Sequence, residues 1–119
     1  MSNPACILVY GRDPSLLETR CMLLETTGSK VHATTEPEQA EQIIREERPD
    51  LLVLCYTLSP EDRTNILSAA QHLRPEMKTL ILTADGTSET GNGDLDIFTG
   101  ARALRAKVVE MLDSGAVSR

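Results

Sequence analysis

The sequence predicts a parallel α/β sandwich, with five strands in one sheet and helices on both faces. Three observations predict it. The apolar runs are short and continuous instead of alternating, as befits strands covered on both faces. Most runs are followed by a helix-start signal, a capping residue and a proline. The strand-then-helix order repeats along the chain, which is the pattern of right-handed crossovers. With 119 residues the chain is expected to form one domain, 1–119, with a core over about 5–113, large enough to need neither disulfide nor metal.

Cys6-Ile7-Leu8-Val9-Tyr10 reads as the first strand. Asp13 caps the next helix and Pro14 fits its first turn. Leu16, Leu17, Met22, Leu23 and Leu24 supply that helix's apolar face, and Gly28 ends it in a left-handed cap. Val31–Thr35 is a weaker second strand. Thr35-Glu36-Pro37-Glu38 has the spacing of a capping box, and Ala40, Ile43 and Ile44 form the stripe of the second helix, which Pro49 terminates. Glu46-Glu47-Arg48 reads as a solvated face. Strand three spans about Leu51–Tyr56. Ser59-Pro60-Glu61-Asp62 opens the third helix with cap, proline and early acids, and Ile66, Leu67, Ala70 and Leu73 face inward until Arg74-Pro75 breaks it. Thr79–Leu82 is strand four. Asp85–Asp94, with three glycines, reads as a loop. A short fifth strand falls near Asp96–Thr99, and Ala101–Leu112 closes the chain as a helix.

Composition excludes several functions. The formal net charge is −6, and Lys and Arg form no run, so the basic footprint that nucleic acid demands is missing. Trp is absent and Phe98, Tyr10 and Tyr56 are the only aromatics, too few for a base-stacking surface. Cys6, Cys21 and Cys55 are widely spaced with no CxxC pair, and His32 and His72 do not join them at zinc spacing. They read as buried thiols of a reducing compartment, and no metal is expected. No apolar stretch approaches the ~18 residues of a membrane span. Met1-Ser2-Asn3-Pro4 lacks a signal-peptide core, so the chain is expected in the cytoplasm, off the membrane.

In an open parallel sheet, ligands and chemistry sit at the carboxyl ends of the strands. Here strand one ends in Gly11-Arg12-Asp13 and strand three in Cys55.

The residues resemble the receiver domains of bacterial two-component response regulators, of the CheY-like kind. Ile7–Tyr10 followed by Asp13-Pro14-Ser15-Leu16-Leu17 looks like the family's first strand and helix start. Pro49-Asp50-Leu51-Leu52-Val53-Leu54 is similar to its third strand, and Leu80-Ile81-Leu82-Thr83-Ala84 to its fourth. Their order and spacing together carry the resemblance over nearly the whole chain. It implies a flavodoxin-like (βα)5 three-layer sandwich. The segment between strands four and five is short for the family, which implies a shortened or missing fourth helix.

The resemblance also implies where function would lie. Active members bind a divalent cation on an acidic pair after strand one, and that pair falls on Gly11 and Arg12. The phosphoacceptor aspartate falls on Cys55, and the switch hydroxyl on Thr83. The phosphoryl-contacting lysine falls near Gly100, and the aromatic switch near Ile97. Mg²⁺ is a hard ion that wants oxygen ligands, whereas Gly11 offers none and Cys55 offers a soft sulfur. Arg12 adds repulsion, since two like unit charges ~4 Å apart repel by roughly 4 kcal/mol at an effective dielectric of 20, and a divalent ion doubles that. The expectation is a degenerate receiver, a pseudo-receiver, that binds no cofactor, takes no phosphate, is not an enzyme, and serves phosphorelay signalling as a protein-interaction module. Its partner would be a histidine kinase, another regulator or a second copy, docking near Ile97, Phe98 and the last helix.

Some readings stay open at this stage. Arg12 is either an exposed loop cation or an internal stand-in for the metal's charge, paired with a carboxylate or a loop carbonyl. Asp13 is a helix cap or a remnant acid. Thr83 is a plain strand end or a switch. A rival function is thiol redox or small-enzyme chemistry at Cys55, which needs a neighbouring cation to lower its pKa, a role Arg12 would fill if the two strand ends lie side by side. A flavin- or nucleotide-binding protein is disfavoured, because Gly11-Arg12-Asp13-Pro14 carries one glycine and an acid that repels phosphate.

Overall fold

The computed structural model describes residues 5–55, 57–83, 94–96 and 105–112. The element order is β1 (Cys6–Tyr10), α1 (Pro14–Glu25), β2 (Lys30–Thr34), α2 (Pro37–Glu47), β3 (Leu51–Leu54), α3 (Pro60–Leu73), β4 (Lys78–Thr83) and β5 (Asp94–Asp96), with residues 105–112 forming a last helix. All strands pair in parallel in the order β2-β1-β3-β4-β5. This is the expected five-stranded α/β sandwich.

The continuous apolar runs are explained by two cores. Alternate side chains point to opposite faces of a strand. Ile7, Val9, Leu51, Val53 and Cys55 pack with Leu17 and Leu24 of α1 and Val108 and Met111 of the last helix. Leu8, Tyr10, Leu52 and Leu54 pack with Ala40 and Ile44 of α2 and Ile66 and Ala70 of α3. Polar clamps hold the lower rim. Asp50 Oδ2 accepts from the Cys6 amide at 2.9 Å, and Arg74 Nε donates to the Pro49 carbonyl at 2.7 Å. The Pro-Asp pair before β3 therefore ties two strand starts together.

The helix signals hold in part. Asp13 Oδ1 accepts from the amides of Ser15 and Leu16, and Ser59 Oγ accepts from that of Asp62. Gly28 has φ +84, but it sits in a turn beyond the helix, whose C-cap is Thr26. The expected capping box does not form. Pro37 takes the first helical position, so the N-cap falls on Glu36 and makes no side-chain bond. Thr34 Oγ1 instead accepts from the Glu36 amide at 3.0 Å. In α1 the buried stripe is Leu17, Arg20 and Leu24, and Met22, expected inside, is 63% exposed. The fifth strand begins at Asp94, two residues before its expected start, because its ladder pairs Asp94–Asp96 with Ile81–Thr83. The connection in which a fourth helix was expected to shrink, 84–93, lies outside the described residues. Among the described residues no helix is long and apolar enough to cross a membrane.

Candidate functional site

The strand order places a topological switch point between β1 and β3, whose crossovers leave to opposite faces. Crevices at such points are where ligands bind in open α/β sheets. Here the two strand ends are stitched together, with the Cys55 amide donating to the Tyr10 carbonyl at 3.0 Å. Gly11 is buried directly beside Cys55. A β-carbon built on Gly11 would sit 2.8 Å from Cys55 Cβ, 3.1 Å from its Sγ and 3.1 Å from Thr57 Oγ1. Glycine is required here by space, since its φ is not in the left-handed region. Contact below 3 Å between carbons is repulsive, so the crevice is closed at this point by ordinary packing.

Cys55 follows β3 and continues its face, so its thiol points toward α1. The cation it meets is Arg20, whose Nη1 lies 3.9 Å from Sγ. Arg20 is 7% exposed and Cys55 3%. Among the described residues, this thiol is the hydrogen-bond partner of the Arg20 guanidinium, and sulfur is a weak acceptor. Burial pushes the thiol up to about 11; Arg20 pulls it down but does not overcome the loss of water, while Cys21 and Asp13 push it further up. A reactive cysteine needs the opposite balance.

Arg12 turns to the other face. Its Nε and Nη2 donate to Asp62 Oδ2 at 3.0 and 2.9 Å, and its Nη1 donates to the Thr35 carbonyl at 3.0 Å. Its backbone amide donates to Thr57 Oγ1 at 2.9 Å. The loops after β1, β2 and β3 and the first turn of α3 are thereby joined through one residue. The hydrogen bond from Arg12 holds the Asp62 carboxyl below its ordinary range. Arg12 takes something from each of its two readings: its side chain is exposed, 42%, as a loop cation's would be, yet it pairs with both a carboxylate and a loop carbonyl.

Solved structures with this architecture are numerous. A CheY-like response regulator receiver domain from Methanospirillum hungatei superposes with a TM-score of 0.80 at 23% identity, over 94% of this chain and 96% of that one. This chain has the receiver fold. A response regulator receiver domain from Clostridium thermocellum gives 0.78 at 22% identity over 97% and 99% of the two chains, and the receiver domain of a Francisella response regulator 0.79 at 16% over 95% and 99%. No family model and no curated protein matches the chain.

Of the positions marked out by the sequence, Gly11 and Cys55 meet at the ends of β1 and β3, and Thr57 joins the backbone of Arg12 beside them. Thr83 ends β4 and its backbone pairs with Asp96, while its hydroxyl, Ile97, Phe98 and Gly100 lie outside the described residues. The residues present do not fit a divalent ion. Asp13 spends an oxygen on capping α1, and position 55 offers sulfur. Among the described residues no three His, Cys, Asp or Glu side chains stand close enough to hold a metal.

Sequence reasoning missed Arg20 and Thr57. The signal for Arg20 was present: Leu17, Arg20 and Leu24 follow the three- and four-residue spacing of a buried stripe, so a charge falls on the core face. Nothing in the sequence marks Thr57, whose role comes from the turn that brings its hydroxyl under Arg12.

Proposed function

We propose that this chain is a degenerate receiver: a response-regulator signalling domain that passes information by protein contact, without a metal, without phosphate and without catalysis of its own. One observation carries the reading: a β-carbon added to Gly11 would fall 2.8 Å from Cys55 Cβ. An aspartate at position 55 would have the same β-carbon, so acids at 11 and 55 together would require this backbone to shift. Phosphoryl transfer relies on metal and positioned charge to stabilise its transition state, and on this reading the site supplies neither.

The loops that would move on phosphorylation are tied instead by Arg12 to Asp62 and Thr35. A ligand shifts an equilibrium only through differential affinity, so a tied site leaves partner binding as the input. The partner is a histidine kinase, another regulator or a second copy of the chain. The rival reading, thiol chemistry at Cys55, is opposed by burial, which raises the pKa of the thiol.

The test is a melting titration with Mg²⁺. The reading expects an unchanged melting temperature at millimolar Mg²⁺ beyond the effect of an equal ionic strength of sodium chloride. A specific, saturable rise contradicts it.

A further inference from the structure

Arg20 places a charge on the core face of α1. A guanidinium is rarely buried unless it is paired. This one is 7% exposed, on the apolar stripe of α1, and points at a neutral thiol at 3.9 Å. The distance is long for a thiol and short for something larger. A carboxylate replacing the sulfur extends ~1.2 Å beyond its carbon, the length of a carbon–oxygen double bond. That closes the gap to about 2.8 Å, the separation of a charge-assisted N–H···O bond.

We propose that Arg20 is a built-in cation facing position 55, so that an aspartate introduced there is held by Arg20 and not by a divalent metal. The inference rests on the metal-free reading of the site and deepens it by naming what replaces the metal. Arg20 is a positioning residue: it acts from α1 on the end of β3. An aspartate placed at position 55 finds an internal partner already in place. The other titratable groups acting on position 55 are Asp13, from the loop before α1, whose carboxylate repels an anion, and Cys21 of α1, whose pKa burial raises and whose thiol repels only once ionised.

The experiment compares Cys55→Asp with its neutral isostere Cys55→Asn, each with Arg20 intact, with Arg20→Met and with Arg20→Lys. Thermal unfolding is followed with and without Mg²⁺. With Arg20 intact, the Asp variant melts at or above the Asn variant and Mg²⁺ leaves both unchanged. With Arg20→Met the order reverses, and Arg20→Lys restores it in part. Arg20→Gln replaces Arg20→Met if the latter fails to fold. An equal Asp–Asn difference in both Arg20 backgrounds overturns the proposal, as does an Asp variant that fails to fold where the Asn variant folds, or one stabilised by Mg²⁺ while Arg20 is present. The wild-type chain decides the proposed function separately: stabilisation of unaltered protein by Mg²⁺ refutes that reading whatever the charge coupling in the variants.

Discussion

Gly11 and Cys55 face each other across the ends of β1 and β3 so closely that a single added carbon on Gly11 would come within 2.8 Å of Cys55 Cβ. The nearest atoms belong to a side chain fixed in the core, so relief requires the backbone to move. Gly11→Ala is expected to destabilise the fold by about 1–3 kcal/mol, the usual range for overpacking. Gly11→Asp is expected to cost more, since it adds a charge in the same space. Urea unfolding of the two variants at neutral pH checks both statements; a Gly11→Asp variant as stable as wild type contradicts the closed crevice.

The Arg12–Asp62 pair predicts an acid limb. The carboxyl of Asp62 sits below its ordinary range because Arg12 donates to it. A depressed folded pKa contributes stability above the unfolded value of about 3.9, and that contribution disappears as pH falls through the folded value. Asp62→Asn removes it, so the variant should differ from wild type near neutrality and converge with it in strong acid. Urea midpoints recorded from neutral to acid pH test this, and a constant gap at all pH values refutes the pairing.

Cys55 predicts an alkaline limb of opposite sign. Its folded pKa is raised from 9.0 to about 11. The stabilisation is complete below 9 and is lost as pH climbs to 11, because the unfolded thiol ionises first. The loss amounts to roughly 2–3 kcal/mol. Cys55→Ala, compared with wild type over that window, should lose less stability. In the native state at neutral pH the Cys55 thiol should react with a disulfide reagent only as fast as the chain opens. Rapid labelling of Cys55 in folded protein would contradict its burial.

Tyr10 is fully buried, and among the described residues its hydroxyl has no hydrogen-bond partner. An unmade buried bond costs about 1–3 kcal/mol. Tyr10→Phe keeps the ring and deletes the group, so its unfolding free energy should equal or exceed that of wild type. A clear loss on this substitution would show that the hydroxyl is engaged.

The scaffold was legible because its signals are local and repeated. Asp13-Pro14 and Ser59-Pro60 mark helix starts that the structure reproduces, and the run Leu51–Leu54 reads as a strand covered on both faces, which it is. The chemistry of the site was half legible. The sequence puts Gly11 and Cys55 at strand ends, but their contact depends on the parallel register of β1 with β3. The sequence offers Arg12, in the loop after β1, as the cation for Cys55. The alternation of β3 sends Cys55 toward α1, while Arg12 reaches to Asp62 on the opposite face. Which side of a sheet a loop residue serves is a property of three dimensions, and no spacing in the chain encodes it. Thr35-Glu36-Pro37-Glu38 failed as a capping box for a smaller reason, a proline that fixes the helix start one residue later.

As a degenerate receiver, this chain is expected to take no phosphoryl group at the ends of β1 and β3. The most direct test is to incubate the protein with a small-molecule phosphodonor and Mg²⁺ and measure its intact mass. An unmodified mass is expected under conditions that label an active receiver in the same tube. Addition of one phosphoryl group would contradict it.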